Sequence, residues 1–318
     1  MLLTRRHLLS ATGVAAGALL LPATPATART APEDWSGWLR ENRDRVAAVL
    51  DDGRGGRFAH HPEVPRPLTT GVVHLAAYAH AVEAGRVTPD DPLRVGDWER
   101  YRLGPDGGAH LRALAHLGLR CTDGRVADDP RAAVTLGDLV AVTTRFGDDA
   151  AADCLRDRLG EAALRAAAAR HGWPAAPTTS ALGDALRVVL GRRVADEDYL
   201  RDPRLRLEAL GGLPDATWTG RARTGTAAGL HRLHRSLAAT TAARAHLADH
   251  QGLRARVTAD VLTIEGVVRH EDGTLASAAV LAHGVDAEWA ARAESLVGLV
   301  SRTLLEPGTP SSSGVDLS

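Results

Sequence analysis

From Val72 to Val82 apolar side chains fall on every side of a helical projection (Val72, Val73, Leu75, Ala76, Tyr78, Ala79, Ala81, Val82). A helix without a polar face is a buried one, so the stretch Pro67 to Gly85 predicts a helix at the centre of the molecule. Pro67, with Thr69 and Thr70 as N-caps, marks its start, and Gly85 marks its end. Shorter patterns flank it. Trp35, Trp38 and Leu39 at helical spacing predict an amphipathic helix over Glu33 to Arg45. Val46 to Leu50 and Arg57 to His61, separated by a glycine-rich turn, predict a strand pair.

Helical periodicity then dominates. Thr135-Leu136-Gly137-Asp138 has the form of a capping box and opens a helix over Leu136 to Phe146. Further helices are predicted from Ala150 to Gly160 (Ala151, Leu155 and Leu159 on one face), Glu161 to Arg170, Ser180 to Leu190 and Ala227 to Thr240. Strand character returns at Val257 to Arg269 and Thr274 to His283, joined by the hairpin signal Glu271-Asp272-Gly273. A helix over Asp286 to Leu305, carrying Trp289, Leu296, Val300 and Leu304, closes the pattern. The Pro/Gly/Ser-rich tail from Glu306 to Ser318 predicts disorder. The expected class is α+β: an antiparallel sheet lobe from about 33–67 and 252–305, and an all-helical lobe from about 68–251.

Composition narrows the function. The 318 residues are 44% hydrophobic, enough for a full core, and the net charge of −1 gives no reason to expect nucleic acid or an anionic membrane as partner. All 38 basic residues are arginine, and Asn42 is the only asparagine. Thr4-Arg5-Arg6-His7-Leu8-Leu9 resembles a twin-arginine export motif; an apolar run from Ala15 to Leu21 and Ala26-Thr27-Ala28 complete a signal peptide over residues 1–28. That run is too short to span a bilayer, so the expectation is an exported protein of the cell envelope or exterior. Cys121 and Cys154 either pair or stay separate, and separate residues are the expectation.

The buried helix entered through small hydroxyl residues, the stretch GRVTPDDP after it (Gly85 to Pro92) and the late hairpin resemble the serine β-lactamase and penicillin-binding protein family. The resemblance covers roughly 33 to 305. It implies acyl transfer to a serine of an S-x-x-K motif at the start of the helix, with the lysine as base. Neither residue is present. Counting back from His74 puts Gly71 at the lysine and Leu68 at the serine; a two-residue shift puts Thr69 or Thr70 at the serine and Val73 at the lysine. Thr70 and His74, four apart, could form a substitute nucleophile and base. So Thr69, Thr70 and His74 are the candidate catalytic residues.

The family's S-D-N motif has Gly147-Asp148-Asp149 as its counterpart. Its K-T-G strand is matched by Arg254-Ala255-Arg256, just ahead of the strand at Val257; Arg223-Thr224-Gly225 looks similar but precedes a helix. Asp148, Asp149, Arg254 and Arg256 are therefore the candidate ligand-binding residues, with two rival roles: helix capping for the aspartates, and ion pairs between the two sets across a vacated cleft. The Glu and Asn of the class A deacylation step cannot be assembled, because Asn42 lies near the N-terminus. Asp106 and His110, in a loop similar to one in bacterial relatives, are either functional or a turn former and a surface histidine. His231 and His234, with His246, Asp249 and His250 downstream, lack the H-E-x-x-H pattern, so no metal and no cofactor is expected. The resemblance implies an exported hydrolase homologue, weak or inactive, that binds a cell-wall peptide, a β-lactam-like ligand or a partner protein. The rivals are an active hydrolase using Thr69 or Thr70 and a structural envelope protein.

Overall fold

A computed structural model describes residues 34–103, 106–213, 223–240, 243 and 252–306. The export segment, His246, Asp249, His250 and the tail beyond Glu306 lie outside the described residues.

The chain opens with α1 (Trp35–Glu41), β1 (Val46–Asp51), β2 (Arg57–His60) and β3 (Arg66–Pro67), then the buried helix α2 (Val72–Glu83). The helical lobe follows: β4 (Pro92–Arg94), α3 (Val95–Glu99), α4 (Ala109–His116), β5 (Ala133–Thr135), α5 (Leu136–Phe146), α6 (Asp149–Leu159), α7 (Glu161–Arg170), α8 (Ala181–Leu190), α9 (Asp196–Arg201) and α10 (Pro203–Gly212). Next come β6 (Thr224–Gly225), α11 (Ala227–Leu237), β7 (Gly252–Thr258), β8 (Val261–Arg269), β9 (Leu275–His283), α12 (Ala287–Ala291) and α13 (Ala293–Leu305).

The main sheet is antiparallel, in the order β2-β1-β9-β8-β7, so both chain ends build it. Alternation along each strand sorts the side chains onto two faces. Leu50, Leu262, Ile264, Ala278 and Val280 pack outward with Trp35, Trp38, Trp289 and Leu296 of the terminal helices. Ala47, Val49, Ala279 and Leu281 face inward and join the core of the helical lobe, where α2 buries Val72 to Ala79. Trp35 ties the two termini together through its indole N–H to the Arg292 carbonyl, 3.0 Å.

Four expectations change. α2 starts at Val72 with Gly71 as N-cap, one residue later than capping by Thr70 and two later than capping by Thr69 would place it. The single strand expected at Val257 to Arg269 is a hairpin, turning at Ala259-Asp260 between Thr258 and Val261. Ala259 takes the positive φ (52°) that a tight hairpin normally assigns to glycine or asparagine, so the turn carries no sequence signal. Consequently Arg254, Ala255 and Arg256 lie inside strand β7, not ahead of it. The C-terminal helix breaks at Arg292, and two short strand pairs appear outside the main sheet, β4–β5 within the helical lobe and β3–β6 at its junction with the sheet lobe. Cys121 and Cys154 are both free thiols.

The capping box holds: Thr135 accepts from the Asp138 N–H at 3.0 Å while Asp138 accepts from the Thr135 N–H at 2.8 Å. Thr135→Ala is expected to lower stability by about 1 kcal/mol, read as a fall in the urea midpoint with an unchanged slope.

Candidate functional site

The mouth of α2 is built by close approach of three elements. A Cβ on Gly71 would sit 2.8 Å from Thr143 Cγ2 and from the Thr143 carbonyl, so only glycine lets α2 meet α5 there. Opposite them, the inward positions of β7 and β8 are Arg254, Arg256, Thr263 and Glu265, a polar stripe in an otherwise apolar sheet face. The Thr69 N–H donates to Thr263 Oγ1 at 3.1 Å. The Thr70 hydroxyl donates to Glu265 Oε2 at 2.6 Å and accepts from the Val72 N–H at 3.2 Å.

Glu265 is the hub. It is 3% exposed and, besides Thr70, holds Arg256 Nε at 2.8 Å and His234 Nε2 at 3.2 Å. Burial alone would raise its pKa; the His234 bond and the Arg256 charge outweigh that and hold it at about 2. Arg256 continues across the mouth to the Thr144 carbonyl, which Arg254 also reaches. Its guanidinium lies against Gly147, where any Cβ would collide with it. Burial, followed by Arg256, lowers Arg254 to about 10, which leaves it a cation at neutral pH.

His74 is buried beside this stripe, with Nδ1 unpartnered among the described residues. Burial first, then Arg223, Arg156 and Arg256, push its pKa down to about 3. Thr70 spends its proton on Glu265, so the four-residue spacing does not produce a Thr70–His74 hydrogen bond. Leu68 is packed where a Cβ on Gly225 would touch it, 2% exposed.

The two aspartates part company. Asp148 is 1% exposed: it caps α6 through the Ala151 N–H at 2.7 Å, and takes the Trp98 indole N–H at 3.3 Å and His110 Nδ1 at 2.8 Å. Both of its oxygens are thus taken up by partners inside the lobe. Asp149 instead pairs with Arg223 at 3.0 Å, and Arg223 reaches Asp184 at 3.8 Å. Ion pairs between Arg254 or Arg256 and these aspartates are not among the described contacts: Arg256 pairs with Glu265 on the neighbouring strand, and Arg254 reaches the Thr144 carbonyl. Asp106 turns its own loop by accepting from the Gly108 and His110 N–H groups. His110, for which a surface position was one of two expectations, is fully buried between Asp148 and Glu99 (3.1 Å).

His231 and His234 point into the sheet, at Ser277 (2.9 Å) and Glu265, and not at each other's ligands. Among the described residues no three His, Cys, Asp or Glu side chains converge for a metal.

No protein-family model matches the sequence, and no curated protein matches it. Solved structures do. A β-lactamase from Sphaerobacter thermophilus DSM 20745 superimposes with a TM-score of 0.57 at 17% identity, over 82% of this chain and 93% of that one. A mutant class A β-lactamase of the last common ancestor of Gram-negative bacteria gives 0.52 at 18% identity, over 82% and 93%. A PBP-A mutant, in an acyl-enzyme complex with penicillin G, gives 0.50 at 16% identity, over 83% and 91%. The chain has the serine β-lactamase and penicillin-binding protein fold.

Within this β-lactamase-like fold the start of α2, the Gly147 turn and strand β7 face one another, as the resemblance required. What fills the space differs. Sequence reasoning passed over Glu265 and Thr263, whose one available signal was a carboxylate and a hydroxyl inside the apolar run Val261 to Val268. It also set Arg223 aside, yet the β3–β6 pairing brings Arg223 beside Asp149.

Proposed function

We propose that this chain is an exported β-lactamase-like protein whose mouth binds a ligand without hydrolysing it. The observation that carries the reading is the Thr70–Glu265–Arg256 lock. The hydroxyl at the mouth is tied to a carboxylate with a pKa of about 2, which takes no proton at neutral pH. His74, the other candidate base, is a neutral imidazole with its pKa held at about 3, and it makes no hydrogen bond to Thr70 among the described contacts. Arg256 occupies the face of Gly147, where the resembled motif would carry its serine. The ligand class is a peptide ending in a carboxylate, the cell-wall peptide type, with Arg254 as its cationic contact. Support for export is the twin-arginine-like segment over residues 1–28; the domain then runs from 29 to 305.

A labelled penicillin tests the reading. The purified chain is expected to show no covalent label, and peptides ending in D-alanine are expected to raise its unfolding temperature. The rival reading, an active hydrolase, rests on the short Thr70–Glu265 contact. It would be established by label or chromogenic cephalosporin turnover that Thr70→Ala abolishes.

A further inference from the structure

A hydroxyl–imidazole contact lies at the far end of α2, about 12 Å along its axis from the mouth. Ser236 Oγ, near the end of α11, is 2.7 Å from His171 Nδ1. His171 Nε2 is 3.0 Å from His80 Nε2, and His80 Nδ1 is 3.5 Å from Glu83 Oε2. The two rings are inclined by only 17° with centres 5.0 Å apart, so they meet edge to edge through their Nε2 atoms.

The proton positions follow from the carboxylate inward. Glu83 lies at ion-pair distance from Nδ1 of His80, which favours the ring proton on Nδ1 and leaves Nε2 with a lone pair. Two lone pairs cannot face each other at 3.0 Å, so His171 donates from Nε2. That leaves His171 Nδ1 unprotonated and facing the Ser236 hydroxyl. Burial first, then His80 and Arg170, lowers the pKa of His171, which keeps it neutral at pH 7. The other serine–histidine contact among the described residues, Ser277 to His231, is not a relay. There Ser277 and Asp51 approach the same ring nitrogen, and Ser277 is 1% exposed. Ser236 is only partly covered.

We propose that Ser236 is a nucleophile with His171 as its base, held in register by His80 and Glu83 as positioning residues, and that the site takes small acyl esters. In the step, Ser236 Oγ bonds to the acyl carbon while its proton passes to His171 Nδ1. The ester C–O bond breaks and the leaving alkoxide takes that proton. Water, deprotonated by His171, then releases the acid and restores Ser236. Arg232, one turn back on α11 and bonded through Nε to the Gly172 carbonyl, supplies positive charge on that side, alongside its partner Glu63.

A fluorophosphonate probe on the full chain tests this, because Ser236 displaces fluoride from phosphorus and keeps the new O–P bond. Peptide mapping is expected to place the label on Ser236, and Ser236→Ala to abolish it without moving the unfolding temperature. His171→Gln is expected to slow labelling by about 100-fold or more, within the range for loss of a general base. Glu83 is exposed enough that Glu83→Gln leaves the fold intact. That variant is expected to shift the rising limb of the pH–rate profile of labelling to lower pH, since loss of the carboxylate disfavours the imidazolium; a merely structural residue would leave the limb in place. Absence of label at Ser236, label at Thr70 instead, or an unchanged rate in a folded His171→Gln variant overturns the proposal.

Discussion

Glu265→Ala is expected to destabilise the protein by about 3–5 kcal/mol, the cost of stranding a buried charge. Arg256, with its side chain 8% exposed, would keep one carbonyl as partner and lose its counter-ion. Thr70 and His234 would lose their acceptor in the same step. For a domain of this size the unfolding temperature should fall by roughly 10 °C, and urea titration gives the free energy directly. A double variant, Glu265→Leu with Arg256→Met, should recover most of the loss, because removing both charges of a buried pair is often neutral. A single-variant cost below about 1 kcal/mol would mean the hub is not a unit, and the lock on Thr70 would go with it.

The same hub makes an acid limit. Glu265 has its folded pKa depressed from 4.5 to about 2. Its contribution is therefore fully present above about pH 4.5 and is lost as pH falls toward 2, on the order of 3 kcal/mol in all. Glu265→Gln should remove that slope from the pH dependence of the urea midpoint.

What could be read from the sequence was local or periodic. The Thr135–Asp138 box, the helix from Glu161 to Arg170 and the hairpin of β1 and β2 are each fixed by residues within one or two turns of one another. The site was legible only in part. The approach of α2, the Gly147 turn and β7 follows from the fold that the resemblance implied. The partners within it do not: Thr70 and Glu265 are 195 positions apart, and Glu265 meets Arg256 through the register of two strands. A two-residue turn at Ala259 sets that register, and alanine gives no warning of it. The burial of His110 is illegible for a related reason, since its surroundings come from α3 and the α5–α6 turn, not from its own glycine-rich loop.

Stability is expected to fall between about pH 6.5 and pH 9.5 in the native chain but not in His110→Gln. His110 has no exposed surface, with Asp148 on Nδ1 and Glu99 on Nε2. Burial alone would lower its pKa; the hydrogen bonds to Asp148 and Glu99 outweigh it and raise the value from 6.5 to about 9. A group whose pKa rises on folding stabilises fully below its unfolded value and loses that contribution as pH climbs through the folded one. The loss should be on the order of 3 kcal/mol, measured as the difference in urea unfolding free energy between native chain and variant at pH 6 and pH 9.5. The consequence reaches the mouth, because Asp148 both holds the imidazolium and caps α6 beside Gly147. Once His110 is neutral, one ring nitrogen loses its proton and faces a carboxylate. The turn at 147–149 should then open before the rest of the lobe, seen as faster amide exchange at Ala151 and Ala152 above pH 9. If the difference between native chain and variant is flat across that range, His110 is a neutral spacer, and the wall of the mouth is held by packing alone.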